Sequence, residues 1–294
     1  MLDLHLHTLA SDGAHSPEEL LKLVQEKGLS AFGIADHNSI ASLKSAFSLA
    51  KENKISFFPA VEIDTLYKDK DLHLLAYGVN FQNPDWQEWM KQISQAKNLQ
   101  TQRRVQKLKD LGFKIEYQEL VKISQGKMPS GGDYVKALSL SPEGKSDPRV
   151  RNYIDGPRSN SPYLNFYLDW LKAGRPAFVP FEEMNCEKVI KKILELNAAP
   201  VLAHPSDTPE QYVRELKKLG LMGIEVYTSY HSRELARLWI KLAKELELLI
   251  TAGSDFHGKP VKPEVEMGIN CKEEKEIIER LSLAISAKRG IYLK

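Results

Sequence analysis

Thiols are nearly missing from this chain. Its 294 residues include two cysteines, Cys186 and Cys271, and no C-x-x-C pair. Two isolated thiols suggest no disulfide framework and fit the reducing cytoplasm. Long apolar runs are lacking, so no segment can span a bilayer. The first residues read directly as a strand, without signal-peptide architecture, so the expected location is cytoplasmic. There is no internal repeat and no low-complexity tract. Net charge is also scarce, at +2 overall, and no obligate protein partner is indicated. What remains is a globular composition, 42% hydrophobic and 27% charged, long enough for one large domain or two smaller ones.

The small net charge hides an uneven distribution. The segment Asp85–Pro176 carries 16 Lys/Arg against 10 Asp/Glu, and the rest carries 25 against 29. A basic middle beside acidic flanks suits an anionic substrate, although a solvated surface has the same composition.

The hydrophobic pattern changes at the same places. Short apolar runs alternate with helical periods up to about residue 79. Leu2–His7, Ala31–Ala35, Ile55–Ile63 and Leu72–Tyr77 read as strands; Pro17–Lys27 and Ser39–Glu52 read as helices. Ser16 is an N-cap type, Pro17 suits the first helical position, and Gly28 terminates. This βαβ rhythm predicts a parallel sheet with crossover helices. It breaks near Asn80. Pro84–Leu111 reads as a long charged helix, Tyr117–Ile123 as another, Lys127–Ser161 as loop, and Pro162–Lys172 as a helix closing at Gly174. After Pro180 the alternation returns. Strands are expected at Pro200–Ala203, Gly223–Tyr227 and Leu248–Ala252. Helices are expected at Cys186–Asn197, Pro209–Leu219, Ser232–Leu246 and Lys275–Lys288. One α/β scaffold, residues 1–79 and 179–294, is thus interrupted by an insert at 80–178.

Chemistry concentrates at the predicted strand ends. In MLDLHLHT, Asp3, His5 and His7 occupy alternate positions and share one face of the strand. Three buried polar groups in a row are costly without partners, and a metal ion is one such partner. Asp12 follows in SDG, Asp36-His37 in IADHNS, Glu62 in AVEID, His73 in HLLAYG, His204 in VLAHPS, and Asp255 with His257 in AGSDFHG. Singly, each has an ordinary use. Asp12 before Gly13 is a turn type, Asp36-His37-Asn38 suits a helix start, and His204-Pro205 a bend. Together, six of the eight histidines lie at matching topological positions among carboxylates, where parallel α/β folds gather their functional groups. Of the other two, His15 reads as a surface loop residue, and His231 in TSYHSR suits either a helix start or a substrate contact.

Imidazoles and carboxylates without thiolate favour zinc, manganese or iron. His5, His7, Asp12, His37, Glu62, His73, His204, Asp255 and His257 exceed the needs of one ion, so two or three divalent ions sharing a carboxylate are expected. Such clusters activate water and clamp the oxygens of an in-line displacement at phosphorus.

The motifs DLHLHT, SDGAHSPEEL, GIADHNS, AVEI, HLLAYG, LAHP and GSDFHG resemble the PHP (polymerase and histidinol phosphatase) family, from Leu2 to about Tyr292. The resemblance implies a distorted (βα)7 TIM-like barrel, interrupted by a mostly helical lid domain, with a trinuclear site at its C-terminal mouth. It implies His5, His7, Glu62 and Asp255 around one ion. Glu62 bridges to a second ion held with His73 and His204, and Asp12, His37 and His257 hold the third. A bridging hydroxide, held by Glu62 and Asp255, is the expected nucleophile. Asp3 and Asp36 are then outer groups that orient ligand imidazoles.

Asp12, where dedicated histidinol phosphatases show a histidine, and the insert, whose KAGRPAFV end is similar, resemble the nucleotide branch. That branch includes nucleoside 3′,5′-bisphosphate phosphatases and enzymes trimming short RNA from the 5′ end. The expected activity is phosphomonoester hydrolysis on a nucleotide-like substrate, with histidinol-phosphate phosphatase as the alternative. A metal-dependent amidohydrolase and a non-catalytic nucleic-acid-binding module rank below it. Met128-Pro129-Ser130 stands where many relatives carry an Arg-Pro-His-like segment, so Arg158 or Lys136 is the expected replacement cation. Arg175, then Arg158, are expected phosphate clamps. Tyr134, Tyr153 and Tyr163 are candidate base-stacking groups, each with core packing as its ordinary use.

Overall fold

Seven strands account for the positions of the candidate residues. In the computed structural model, which describes residues 1–288, they are β1 (Leu2–Leu6), β2 (Ala31–Ile34), β3 (Ser56–Tyr67), β4 (Lys70–Tyr77), β5 (Ala199–Leu202), β6 (Gly223–Tyr227) and β7 (Leu249–Ala252). They form one sheet in sequence order. The end of the resemblance near Tyr292 lies outside the described residues.

The sheet is mostly parallel, with one departure from the predicted all-parallel arrangement. β4 runs antiparallel to both β3 and β5. Only Lys68 and Asp69 separate β3 from β4, and a crossover needs a dozen residues or more. Lys68 takes the left-handed conformation of the turn, at φ 55°.

Local chemistry sets the flanking helices. Ser16 caps Pro17–Glu26 in a reciprocal capping box with Glu19. Asn185 caps Cys186–Glu195, and Ser232 caps Arg233–Glu245. Leu43–Glu52 starts four residues later than the pattern predicts, and Ser42 makes no side-chain cap there. Its hydroxyl goes to Asp36 instead. Leu2, Leu4, Ala31, Leu75, Val201 and Ala252 are buried in one apolar cluster, with Ile277 and Leu281 of the helix Glu274–Lys288. Fully burying a leucine side chain contributes about 2 kcal/mol.

The chain divides into two compact units, one formed by Met1–Met90 with the chain from Glu183 onward, the other by Lys91–Glu182. The helix Pro84–Asp110 begins in the first and continues through the second. Tyr117–Ile123 is helical as predicted, but the predicted loop over Lys127–Ser161 is not a loop. It contains the helices Gly131–Leu138, Pro142–Ser146 and Pro148–Ile154. Its Ser, Pro and Gly are helix-starting residues. Ser130, Ser141 and Asp147 are N-caps, and Pro142 and Pro148 occupy first-turn positions. Gly131 permits close packing, since a Cβ there would lie 2.0 Å from the Tyr163 carbonyl oxygen.

Candidate metal centre

Strand pairing brings the candidate residues together. β1 carries Asp3 and His5, and His7 follows directly; all three side chains are buried. The N–H of Asp255 donates to the His5 carbonyl at 3.0 Å, and the N–H of His7 to the Phe256 carbonyl at 3.0 Å. This pairing carries Asp255 to the histidines of β1. Beyond β2, His37 pairs with Glu62 as an isolated parallel bridge. His73 lies opposite Asp64 in the antiparallel ladder, so its side chain shares a face with Glu62 two residues earlier.

Gly253 makes the approach of β7 possible. A Cβ there would lie 2.2 Å from the His5 Cβ and 2.5 Å from Glu225 Oε1. Two candidate ligands stand in left-handed backbone conformations, His204 at φ 25° and Asp255 at φ 61°. Non-glycine residues held there carry about 1–3 kcal/mol of strain, and such strain clusters at functional sites.

Glu62 is the centre of the arrangement and is fully buried. Its Oε1 lies 2.8 Å from His73 Nδ1 and 2.9 Å from His204 Nε2. Its Oε2 lies 3.1 Å from His5 Nε2, 3.2 Å from His7 Nε2 and 3.4 Å from His37 Nε2. Five imidazoles thus address one carboxylate, divided between its two oxygens. Asp255 Oδ1 lies 3.1 Å from His7 Nε2 and 3.7 Å from His5 Nε2. Asp12 Oδ1 lies 3.3 Å from His257 Nε2 and 3.5 Å from His7 Nδ1. Its Oδ2 lies 3.9 Å from His37 Nε2.

Three overlapping sets can each offer ligand atoms within 4.8 Å of one another: His5, His7, Glu62, Asp255; His7, Asp12, His37, His257; and His37, Glu62, His73. His204 is outside these sets but reaches the same Glu62 oxygen as His73.

The donor chemistry fits cations. His5 Nδ1 lies 3.0 and 3.2 Å from the two Glu225 oxygens, which fixes the N–H on that side. Its Nε2 then faces inward, 3.1 Å from His7 Nε2 and 3.1 Å from Glu62 Oε2. Lone pairs meeting lone pairs at these distances need a proton or a metal ion between them. Both free cysteines lie outside the three sets, so the donors are imidazole and carboxylate alone.

Electrostatics show the same demand. Burial opposes charge throughout, but the facing groups reverse it in most places. Glu62 is held well below the usual carboxylate range by His37, His5 and His73, and Asp12 by His257 and His37. Asp255 is held low by Lys262 and His257. Against the penalty of burial, Glu62 and Asp12 raise His37 to about 10, and Glu225 and Glu62 raise His5 well above the usual imidazole range. Burial, with His7 and Lys262, pushes His257 down to about 4.

The outer groups differ from expectation. Asp3 and Asp36 bond to backbone and hydroxyl groups. Asp3 accepts from the N–H groups of His5, Ser254 and Gly268, and burial pushes it up to about 6. Asp36 accepts from the Thr8 N–H and from the hydroxyls of Thr8, Ser11 and Ser42. The Ser11 hydroxyl in turn lies 3.5 Å from His7 Nδ1. The carboxylate directly behind an imidazole is Glu225 on β6, which sequence reasoning missed. Its only signal was a buried-type acid inside the apolar run GIEVY. Asp64, 3.1 Å from His37 Nδ1, was missed for the same reason.

His15 was expected at the surface; it stacks on Phe256 at 5.8 Å. His231 is half-buried, its Nδ1 2.8 Å from the Val226 carbonyl. Lys136, Arg158 and Arg175 belong to the second unit. Arg158 donates two bonds to Asp169, Lys136 lies exposed 3.6 Å from Asp133, and Arg175 is exposed. Tyr134 and Tyr153 are core residues that pack against Phe166, so neither offers a face to a base; Tyr163 is half-buried.

Comparison with known proteins agrees with this architecture. The PHP domain pattern matches residues 3–170. A 5′-3′ exoribonuclease of Haemophilus influenzae is 28% identical, over 87% of this chain and 89% of that protein. A 3′,5′-nucleoside bisphosphate phosphatase of Chromobacterium violaceum is 22% identical, over 87% of each. A solved amidohydrolase from Chromobacterium violaceum, with bound sulfate and no metal, superposes with a TM-score of 0.74. It is 21% identical and covers 95% of this chain and 96% of its own, a likeness of fold. The chain belongs to the PHP domain family.

Proposed function

We propose that the cluster holds two or three divalent ions, manganese, iron or zinc, and that the protein hydrolyses phosphomonoesters of nucleotides. The chain is an enzyme of the phosphoesterase class. The substrate we assign is a nucleoside 3′,5′-bisphosphate or a nucleoside monophosphate, with short 5′-phosphorylated oligonucleotides as a further substrate. The names of the two relatives support that substrate class. The observation that carries the reading is Glu62, a buried carboxylate whose two oxygens face two separate sets of imidazoles.

Bound there, the ions supply charge for the phosphoryl oxygens and lower the pKa of water. The residues of the chain do the rest. His5, His7, Glu62 and Asp255 form one ligand set; Asp12, His37 and His257 a second; His73 and His204, with Glu62, a third. Glu225 keeps the His5 proton on Nδ1 and its lone pair inward. Asp36, through Ser11, acts on His7. In this reading the sheet closes as a distorted (βα)7 TIM-like barrel built from 1–79 and 179–294. The insert 80–178 selects the substrate, with Arg175 as its phosphate contact.

The test is inorganic phosphate release from adenosine 3′,5′-bisphosphate with manganese, then with EDTA, beside AMP, histidinol phosphate and a short 5′-phosphorylated RNA. Metal-dependent release from the bisphosphate, lost in His5→Ala, is the expected result. Turnover of histidinol phosphate alone overturns the substrate assignment.

A further inference from the structure

Asp255 divides its two oxygens between unlike neighbours. Its Oδ1 faces the imidazoles, 3.1 Å from His7 Nε2 and 3.4 Å from His257 Nδ1. Its Oδ2 faces the other way. There it accepts from the Tyr230 hydroxyl at 2.7 Å and from the Lys262 ammonium. The two donors are joined, since Lys262 Nζ also donates to the Tyr230 hydroxyl at 3.0 Å. The Tyr230 ring stands edge-on to the His204 ring, with centroids 5.8 Å apart. Neither residue is among the nine candidate ligands.

We propose that Tyr230 and Lys262 form a clamp on the outer oxygen of Asp255 and so position its inner oxygen as a one-atom metal donor; this rests on the metal-centre reading above. Three physical arguments support it. A carboxylate free at both oxygens can rotate or chelate through both, and bonding Oδ2 to two donors removes that freedom. The left-handed backbone at Asp255 needs surrounding contacts to hold it, and a charge-assisted bond is among the stronger ones available. The bond from Lys262 Nζ to the Tyr230 hydroxyl also ties the two donors to each other, so neither turns away from the carboxylate alone. Tyr230 and Lys262 are therefore positioning residues, acting through Asp255, and the tyrosine ring extends the effect to His204.

The test titrates manganese alone into the metal-free full-length protein, with free ion read by electron paramagnetic resonance, for wild type, Tyr230→Phe, Lys262→Met, Lys262→Arg and the double variant. The clamp predicts at least about ten-fold weaker binding of one ion in Tyr230→Phe and Lys262→Met, a typical effect for groups behind a ligand. It also predicts a changed spectrum of the bound ion. The double variant should be no worse than the weaker single, because both donors act on one oxygen. Lys262→Arg should recover part of the loss. Unchanged affinity and spectrum in the single variants, with wild type binding normally, overturns the clamp. A raised KM in phosphate release, assayed on the same variants, beside unchanged manganese binding also overturns it, by making the pair substrate contacts. Wild type that binds no manganese overturns the metal-centre reading instead. Thermal melting confirms that each variant is folded, and Tyr230→Phe removes a single oxygen from a partly exposed residue.

Discussion

The two compact units partner their polar groups in opposite ways. In Lys91–Glu182 donors meet acceptors in pairs. Arg158 donates two bonds to Asp169, the Tyr153 hydroxyl donates to the same carboxylate, and the Trp170 indole donates to Tyr153. Ser130 and Asp133 cap each other. At the cluster of the first unit acceptors meet acceptors. His5 Nε2, His7 Nε2 and Glu62 Oε2 converge within 3.2 Å of one another, with no side-chain ammonium or guanidinium among them. A network in which each donor meets an acceptor is complete within the protein, so it stabilises a fold. A convergent set is completed only by protons or cations.

The sharpest test of this contrast is to remove the convergence point. Glu62→Ala should leave at most one ion bound and lower kcat/KM at least about 100-fold, read by metal analysis and phosphate release. Asp169→Asn, the matched change in the paired network, should leave kcat unchanged. Gly253→Ala comes next, because a Cβ would press on His5 and Glu225 together. It should cost about 3 kcal/mol in denaturant unfolding and weaken metal binding as well. Glu225→Gln keeps the shape but removes the charge behind His5. It should weaken manganese binding about 10- to 100-fold at little cost in stability.

pH separates the units further. In the metal-free chain His37 is raised to about 10, so its contribution is fully present below about 6.5 and is lost as pH rises towards 10. Asp12, Glu62 and Asp255 are lowered, so theirs is lost as pH falls below the ordinary carboxylate range. The melting temperature of the metal-free protein should therefore fall in both directions. Manganese should flatten the alkaline fall and release protons on binding, which calorimetry in two buffers measures. The smallest effect belongs to the paired network. Arg158 and Asp169 are each about a third exposed, at 36% and 32%, so Asp169→Asn should cost no more than about 1 kcal/mol.

The same contrast explains what was legible in the sequence. The converging imidazoles and carboxylates were, because most of them sit at the end of an apolar run, where the strand period assigns a face. His5, Glu62 and Asp255 are found in this way without any structure. Glu225 and Asp64 were not, because an acid inside or beside an apolar run looks alike whether it meets an imidazole or solvent. The helices at 131–154 were missed because Ser-Gly-Gly and Ser-Pro begin helices as readily as they interrupt them. The antiparallel β4 was missed because apolar periodicity carries no strand direction, and only the short Lys68-Asp69 connection reveals it. Tyr134 and Tyr153 illustrate the limit for the insert. Composition marks them as available to stack on a base, and packing places them against Phe166.

Counting ions decides whether the buried imidazole–carboxylate cluster is a multinuclear metal centre. The most direct measurement is metal content per chain after loading with manganese and gel filtration, for wild type and Glu62→Ala side by side. Two or three ions are expected in wild type and at most one in the variant. Wild type that retains none, or a variant that retains as many, would contradict it.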